Sequence, residues 1–361
     1  MSATILAPQV FTALDLDNHL AKGWRPYGQR IYTADFIQLK LGEIYSVLPT
    51  RLDLATHQWR KGQRKLLRKH KEKFQFTVQP ASLDAEKIRI NDLYRNYFPD
   101  KSVEDLNIHL SHNDRQIFNT FELCIYDNDR LVAFSFFDLG EQSAYSKIGI
   151  YDPAYSQYSL GLYSMYLEIE WLMAQSFRYY YPGYISLETP LFDYKRKVGA
   201  LECWHFQNKT WQSLVSFEKK ELTPLQLIDN KTNILHDALI KAGIKAKIFD
   251  YYLFELSLIY PDVAHFLDSP KLILLHFPSK YFCWIARYNI QYSTYECWET
   301  FYEKEASFPP IANRKFPIFR YELQLQQPFV QTSHLDTFVK EIKGLFEGKT
   351  QLLFPAYNVL R

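Results

Sequence analysis

The sequence predicts a mixed α+β / α/β fold: a mixed sheet flanked by helices, preceded by a small N-terminal unit and followed by an additional α+β C-terminal domain. Three observations predict it. The middle of the chain reads strand–strand–strand–helix–strand; the alternation of strands and helices restarts near Leu222; and 361 residues are too many for one small domain. The expected divisions are residues 1–78, 79–221 and 222–361.

In the first unit, GWRPYGQRIY (Gly23–Tyr32) reads as a turn feeding a strand, and IYSVLPTRL as a strand ended by Pro49. A basic helix is expected from Thr56 to about Lys73, then the strand FQFTVQP. ASLDAEKIRINDLYRNYF opens the second unit as a helix with Ser82 as N-cap and Ile88, Leu93 and Tyr97 at roughly helical spacing. FELCIYDNDRLVAFSFFDLG reads as a hairpin turning at Asp127-Asn128-Asp129, and AYSKIGIYDP as a strand stopped by Pro153. A helix opening with Ser-Leu-Gly and the strand RYYYPGYISL complete this unit. The order, with Gly in the first helical turn, is that of a GNAT-like acyltransferase core. Beyond it come helices near 224–243, the strands KLILLHF, YFCWIARYNIQY and FPIFRYELQLQ, and a helix from about Ser333 to Phe346.

Composition excludes several classes. A hydrophobic share of 47% with 23% charged residues is that of an ordinary globular protein. The aromatic share is high at 17%; such rings can line a groove or stack on bases, and can equally edge a core. A net charge of +2 means that any polyanion must meet a local patch. Cys124, Cys203, Cys283 and Cys297 form no CxxC pair, so neither a metal site nor a disulfide framework is expected. The first residues lack the basic n-region of a signal peptide and no run approaches 18 apolar residues, so a cytoplasmic protein without a membrane span is expected.

WRKGQRKLLRKHKEKF places Arg60, Lys61, Arg64, Lys65, Arg68 and Lys69 within ten residues. At about 100° per residue they cover roughly half the circumference of a helix. Trp59, Gln63 and Leu66 gather on the other side. Exposed helices usually intersperse acids for i,i+4 pairing; here no acid comes before Glu72. An unpaired cationic face suits a polyanion such as RNA, read through its phosphates.

YSLGLYSMYLEIEWL (Tyr158–Leu172) is apolar almost all round, yet carries Gly161, Glu168 and Glu170. With Ser159 as N-cap, its hydroxyl accepts an N–H of the first turn, and Gly161 leaves that turn open to a ligand's carboxylate, phosphate or oxyanion. Gly161, Ser164, Glu168 and Gln175 share a stripe that would face a cleft. Glu170 lies on another face and would pair with a basic residue.

YDPAYSQYSLGLYSMYLEIEW followed by YYYPGYISLETPLFDYK resembles the signature of the arginyl-tRNA–protein transferases and the related bacterial leucyl-transferases. These attach an amino acid from charged tRNA to protein N-termini. Asp152, Pro153, Ser159, Leu160, Gly161, Tyr163, Glu168, Ile169, Glu170, Gly183, Tyr184, Pro190, Tyr194 and Lys195 stand at matching places. GWRPYG and the Gln63-Arg64 helix resemble earlier family elements, so the likeness spans about residues 18 to 215. The chain departs from the family in having no cysteine before Cys124 and Thr189 at a usual cysteine position. The resemblance therefore implies neither metal nor any other cofactor here.

It does imply an amide-forming transfer between two partners, an aminoacyl-tRNA and an acceptor protein N-terminus, with arginine as the group carried. In that scheme Asp152, Glu168 and Tyr184 are the expected catalytic residues. Ser159, Gly161, Tyr163, Ser164, Tyr194 and Lys195 would bind substrate, the ester carbonyl lying near the N–H groups after Ser159. Asp152 can equally cap the turn before Pro153, and Tyr184 can simply pack on the sheet. Two other functions compete. One is an acyl-CoA-dependent GNAT acyltransferase, which wants a richer glycine loop than YSQYSLG. The other is a non-catalytic RNA-binding or adaptor protein on a degenerate transferase fold.

Overall fold

In the computed structural model, residues 3–99, 102–111, 115–260, 263–311 and 314–347 are described. The chain opens with β1 (Ala3–Leu6) and α1 (Ala13–Leu20), the latter started by a reciprocal capping box between Thr12 and Asp15. β2 (Arg25–Tyr27) and β3 (Arg30–Ala34) form a hairpin that turns at Gly28, whose φ of +58° suits glycine. With β1 they make an antiparallel sheet of order β1-β3-β2; β4 (Phe36–Lys40) and β5 (Glu43–Ser46) make a second hairpin.

The largest sheet takes strands from residues 48 to 213. In chain order these are β6 (Leu48–Asp53), β7 (Gln75–Pro80), β8 (Asn119–Asp127), β9 (Arg130–Leu139), β10 (Ser143–Tyr151), β11 (Tyr179–Ile185), β12 (Glu202–His205) and β13 (Thr210–Ser213). Their spatial order is β13-β12-β6-β11-β10-β9-β8-β7, with β10 and β11 parallel and every other pairing antiparallel. The boundary expected near residue 78 falls inside β7. The helices between these strands are α2 (Lys61–Lys71), α3 (Ala85–Tyr97) and α4 (Leu160–Ala174). Side chains alternate across the sheet, so Leu123 and Ile125 join the core that holds α4, while Cys124, Phe134 and Phe136 pack with Ile90 and Tyr94 of α3.

The C-terminal part comprises α5 (Leu214–Lys220), α6 (Pro224–Lys241), β14 (Lys247–Asp250), α7 (Leu256–Ile259), β15 (Lys271–His276), β16 (Phe282–Asn289), β17 (Thr294–Glu305), β18 (Tyr321–Thr332) and α8 (Leu335–Phe346). Its five strands run in sequence order, all antiparallel, with α6 and α8 packed on them.

Several sequence expectations change. Pro49 lies within β6 instead of ending it: it pairs with Tyr184 of β11 on one side, and the pairing with β12 on the other begins only at Thr50. α2 begins at Lys61, where the Gln63 side chain accepts the Arg60 N–H at 2.7 Å. Asp84, not Ser82, caps α3, because the Ser82 N–H donates to Glu122 while the Asp84 carboxylate accepts the Lys87 N–H. Ile88, Leu93 and Tyr97 are exposed. α3 instead turns Ile90, Tyr94 and Lys87 inward, the last held between Asp84 at 2.6 Å and the fully buried Glu122 at 3.0 Å. β17, in STYECWETFYEKE, was not expected as a strand.

Candidate active site

The parallel pair β10–β11 is in register only from Ser143–Tyr145 against Tyr179–Tyr181. Beyond this, β10 continues along β9 to Tyr151 and β11 along β6 to Ile185, so the two strands part. Ser146 is half-buried and Gly149 exposed along the parted edge of β10. β11 bulges between Tyr180 and Gly183, whose φ is +96°. Lys195 Nζ lies only 3.1 Å from where a Cβ on Gly183 would stand, so glycine is needed there to admit the ammonium. That ammonium donates to the Tyr184 carbonyl at 2.9 Å and stands 4.9 Å from the Tyr184 ring centre. Burial and the neighbouring Arg25 push its pKa down to about 7.

Glu168 approaches the same region from α4. It is fully buried, and its Oε2 accepts a hydrogen bond from the Tyr180 hydroxyl at 2.7 Å. The hydroxyls of Ser135 and Ser146 lie nearby, yet Oε1 has no hydrogen-bond partner and no cation faces it among the described residues. Burial without a counter-charge raises this carboxyl to about 7, the range of a general acid or base near neutrality. Tyr194 is exposed, and its ring centre lies 5.9 Å from Lys195 Nζ. The structure thus brings Tyr184, Tyr194 and Lys195 together beside Gly183, and Glu168 to Tyr180 of the same strand.

It does not gather the other expected residues there. Ser159 has left-handed φ/ψ (51°, 45°) and its side chain makes no cap hydrogen bond, so it is not the expected N-cap of this type. In the first turn of α4 Gly161 is half-buried, and the Tyr151 ring lies at 3.7 Å, ordinary contact distance, from where a Cβ would stand. Ser164 is buried and donates to the Gly161 carbonyl, and of the small polar stripe Ser164 and Glu168 are buried while Gln175 is exposed. Tyr163 is fully buried against His70 and Phe74. Asp152 pairs with Arg130 at 2.6 Å and caps the Pro153–Tyr158 3₁₀ helix through the Ala154 N–H at 3.0 Å, the structural role left open above. Glu170 pairs with Lys71 at 2.6 Å, as its place on α4 implied.

On α2, Arg60, Lys61, Arg64, Lys65, Arg68 and Lys69 are all exposed, and none forms an ion pair among the described residues. The buried side of α2 is fixed by Gln63, whose amide donates to the carbonyls of Lys197 and Val198 at 2.7 and 2.9 Å. The 3₁₀ segment Pro190–Val198 therefore docks on the basic helix at one end and carries Tyr194 and Lys195 to the parted strands.

A cavity of about 890 Å³ adjoins this region, bounded by Tyr184, by the N-terminal sheet and by Glu255, Leu258 and Ile259 of the C-terminal part. Its most unusual wall residue is Arg25, only 2% exposed. The guanidinium reaches the carbonyls of Ala34 at 3.3 Å and Gly23 at 3.5 Å, lies over the rings of Tyr32 and Tyr184, and has no carboxylate partner. Its Nε has no partner at all. Sequence reasoning missed Arg25, Tyr180 and Glu255. An arginine between the aromatic residues and turn glycines of GWRPYG was the one available signal; Glu255 has none, because only tertiary packing brings it here.

Among the described residues no cluster of three or more His, Cys, Asp or Glu side chains could hold a metal, and no helix is long and apolar enough to cross a membrane. Residues 63–205 match the family model described as "Arginine-tRNA-protein transferase, C terminus". The chain is 24% identical over 212 residues to the aspartate/glutamate leucyltransferase of Campylobacter jejuni, covering 57% of this chain and 86% of that protein. Over 77 residues it is 32% identical to arginyl-tRNA–protein transferase 1 of Saccharomyces cerevisiae, covering 21% of this chain and 15% of the yeast protein. Among solved structures, that of L-PGS from Bacillus licheniformis aligns over 47% of this chain and 49% of its own, with a TM-score of 0.30 and 15% identity.

Proposed function

Since the chain belongs to the family of aminoacyl-tRNA–protein transferases, we propose that it transfers arginine from arginyl-tRNA to the free N-terminal α-amine of an acceptor protein. The observation that carries this is the junction made by Pro190–Val198. One end of that segment docks through Gln63 on the buried side of α2, opposite the exposed and unpaired cationic face, and Lys195 within it donates to the Tyr184 carbonyl of β11, the strand whose Tyr180 donates to the uncompensated carboxylate of Glu168. The cationic face suits the phosphates of a tRNA, bound without sequence readout.

The chemistry needs little beyond positioning, because the tRNA ester is already activated. The acceptor amine attacks the ester carbonyl, a C–N bond forms, and the C–O bond to the terminal ribose breaks. Glu168, reached through Tyr180, takes a proton from the amine as it attacks; the ribose oxygen leaves with a proton in return. Lys195 and the edge of β10 beyond Tyr145 supply donors beside the developing oxyanion. Tyr184 and Tyr194 line the cleft. Asp152, tied to Arg130, serves the turn and not the reaction.

The test is a transfer assay with labelled Arg-tRNA, then Leu-tRNA, and peptides beginning in Asp, Glu, Arg or Lys. Label from Arg-tRNA should appear in one peptide set. Label from Leu-tRNA alone would replace arginine by leucine as the donor; charged-tRNA binding with no transfer would make the protein an RNA-binding module.

A further inference from the structure

The sequence sets Trp59 immediately before the cationic run of α2 and Glu72 immediately after it. The fold brings both to one groove of about 460 Å³ between α2 and α4, with Arg64, Leu67, Arg68 and Glu170 along its walls. Trp59 is half-buried, and its indole N–H makes no hydrogen bond among the described residues, so it is free to donate to a guest. Its ring is held in place: His57 and Tyr166 meet it edge-to-face at 4.7 and 5.6 Å, and the Trp59 carbonyl accepts from Arg64 at 2.7 Å. Lys71 holds Glu170 at 2.6 Å. Glu72 is exposed and has no ion pair among the described residues, although Arg68 stands one turn before it. These carboxylates set the groove apart from the outward side of α2, which carries Arg60, Lys61 and Lys65 and no acid. A phosphate is drawn to those cations and repelled by Glu72. The groove itself suits something flat, uncharged and equipped with N–H donors.

We infer that this groove takes one unpaired nucleobase of a bound RNA, stacked on Trp59, with its exocyclic amine donating to Glu72 and its flanking phosphates on Arg64 and Arg68. The inference rests on the transferase function proposed above and adds base readout to an RNA surface that otherwise reads phosphates alone. Stacking on an indole tolerates any base, because every base has a π-face. The carboxylate is what selects. An acceptor beside the base favours the N4 amine of cytosine or the N6 amine of adenine and repels the O4 carbonyl of uracil. A duplex stacks its bases and occupies their pairing edges, so the groove calls for a single-stranded nucleotide whose base can be splayed out. The two arginines at the rim then hold the backbone on either side while the base turns inward.

The experiment is equilibrium binding to the full chain of three fluorescent RNA hexamers of equal charge: oligocytidine, oligouridine, and oligo-N4,N4-dimethylcytidine, which keeps the cytosine ring but loses its donors. The wild type should bind oligocytidine about tenfold more tightly than the other two, with one salt slope for all three. Glu72→Gln, whose amide can donate as well as accept, should erase that preference and leave the slope unchanged. Trp59→Ala should weaken all three hexamers about tenfold, and Trp59→Phe should recover most of the loss. If Trp59→Ala does not fold, Glu72→Gln decides alone. Equal affinity of the wild type for the three hexamers, or an unchanged cytidine preference in Glu72→Gln, overturns the inference. So does binding of a blunt RNA hairpin with no measurable binding of any hexamer, since the surface then takes duplex alone. Base preference without aminoacyl transfer leaves the groove standing and removes only the transferase function. Transfer without base preference keeps that function and overturns the groove.

Discussion

The molecule buries charge in two ways. In the C-terminal sheet Arg287 is 4% exposed and fully matched: Asp268 lies 2.5 Å from one side of its guanidinium and Glu296 2.8 Å from Nε. Glu296 further accepts from Asn289 at 2.8 Å and Trp298 at 2.9 Å. At the parted strands and in the adjoining cavity, Glu168 and Arg25 are as deeply buried but have no opposite charge. A satisfied buried network holds a fold together, whereas an unsatisfied one costs stability and persists where a substrate supplies the missing partner. Compensation, more than burial, separates the charges of the C-terminal sheet from those at the parted strands and in the adjoining cavity.

The largest expected effect lies on the structural side. Arg287→Met leaves two carboxylates facing each other and should cost about 3–5 kcal/mol by denaturant unfolding, with charged-tRNA affinity per folded molecule unchanged. On the functional side, Glu168→Gln should lower turnover about 10²-fold without destabilising the fold. Its pH dependence carries a sign. A carboxyl raised from 4.5 to about 7 by burial stabilises the fold fully below its ordinary range, and that contribution is lost as pH rises towards 7. Glutamine cannot ionise, so the melting temperature of the variant relative to wild type should climb between pH 5 and pH 8. A flat difference would mean that Glu168 has a counter-charge after all.

Smaller effects sharpen the contrast between buried and exposed charge. Arg64→Glu with Arg68→Glu should weaken charged-tRNA binding ~10-fold or more at low salt and reduce the salt slope, with no change in melting. Unchanged, salt-insensitive affinity would remove α2 from the RNA surface. The least effect belongs to Glu170→Gln, which breaks the solvent-exposed pair with Lys71 and should cost at most about 0.5 kcal/mol.

The fold was legible wherever local pattern and tertiary contact agree. Asp127-Asn128-Asp129 fixed the β8–β9 hairpin, Asn128 taking the positive φ of such a turn. The apolar run after Ser159 marked α4, and RYYYPGYISL marked β11. Pattern failed where a distant partner decides. Lys87 turns α3 because Glu122, a strand away, holds its ammonium, and this leaves Ile88 and Tyr97 in solvent. The same holds for the site. Glu168, Tyr184, Tyr194 and Lys195 lie within the stretch whose motifs stood out, but the face that α4 turns to the sheet could not be read from helical spacing. Arg25 and Glu255 are 230 residues apart and meet only across a cavity.

The most direct measurement is the single-turnover rate of transfer from prebound charged tRNA, followed against pH for wild type and Glu168→Gln. If Glu168 takes the proton, the wild-type rate rises through pH about 7, and the variant loses that inflection and runs ~10²-fold slower with unchanged tRNA affinity. Matching rates with the same pH profile would contradict it, and the uncompensated carboxylate would then be a cost of folding and not an instrument of transfer.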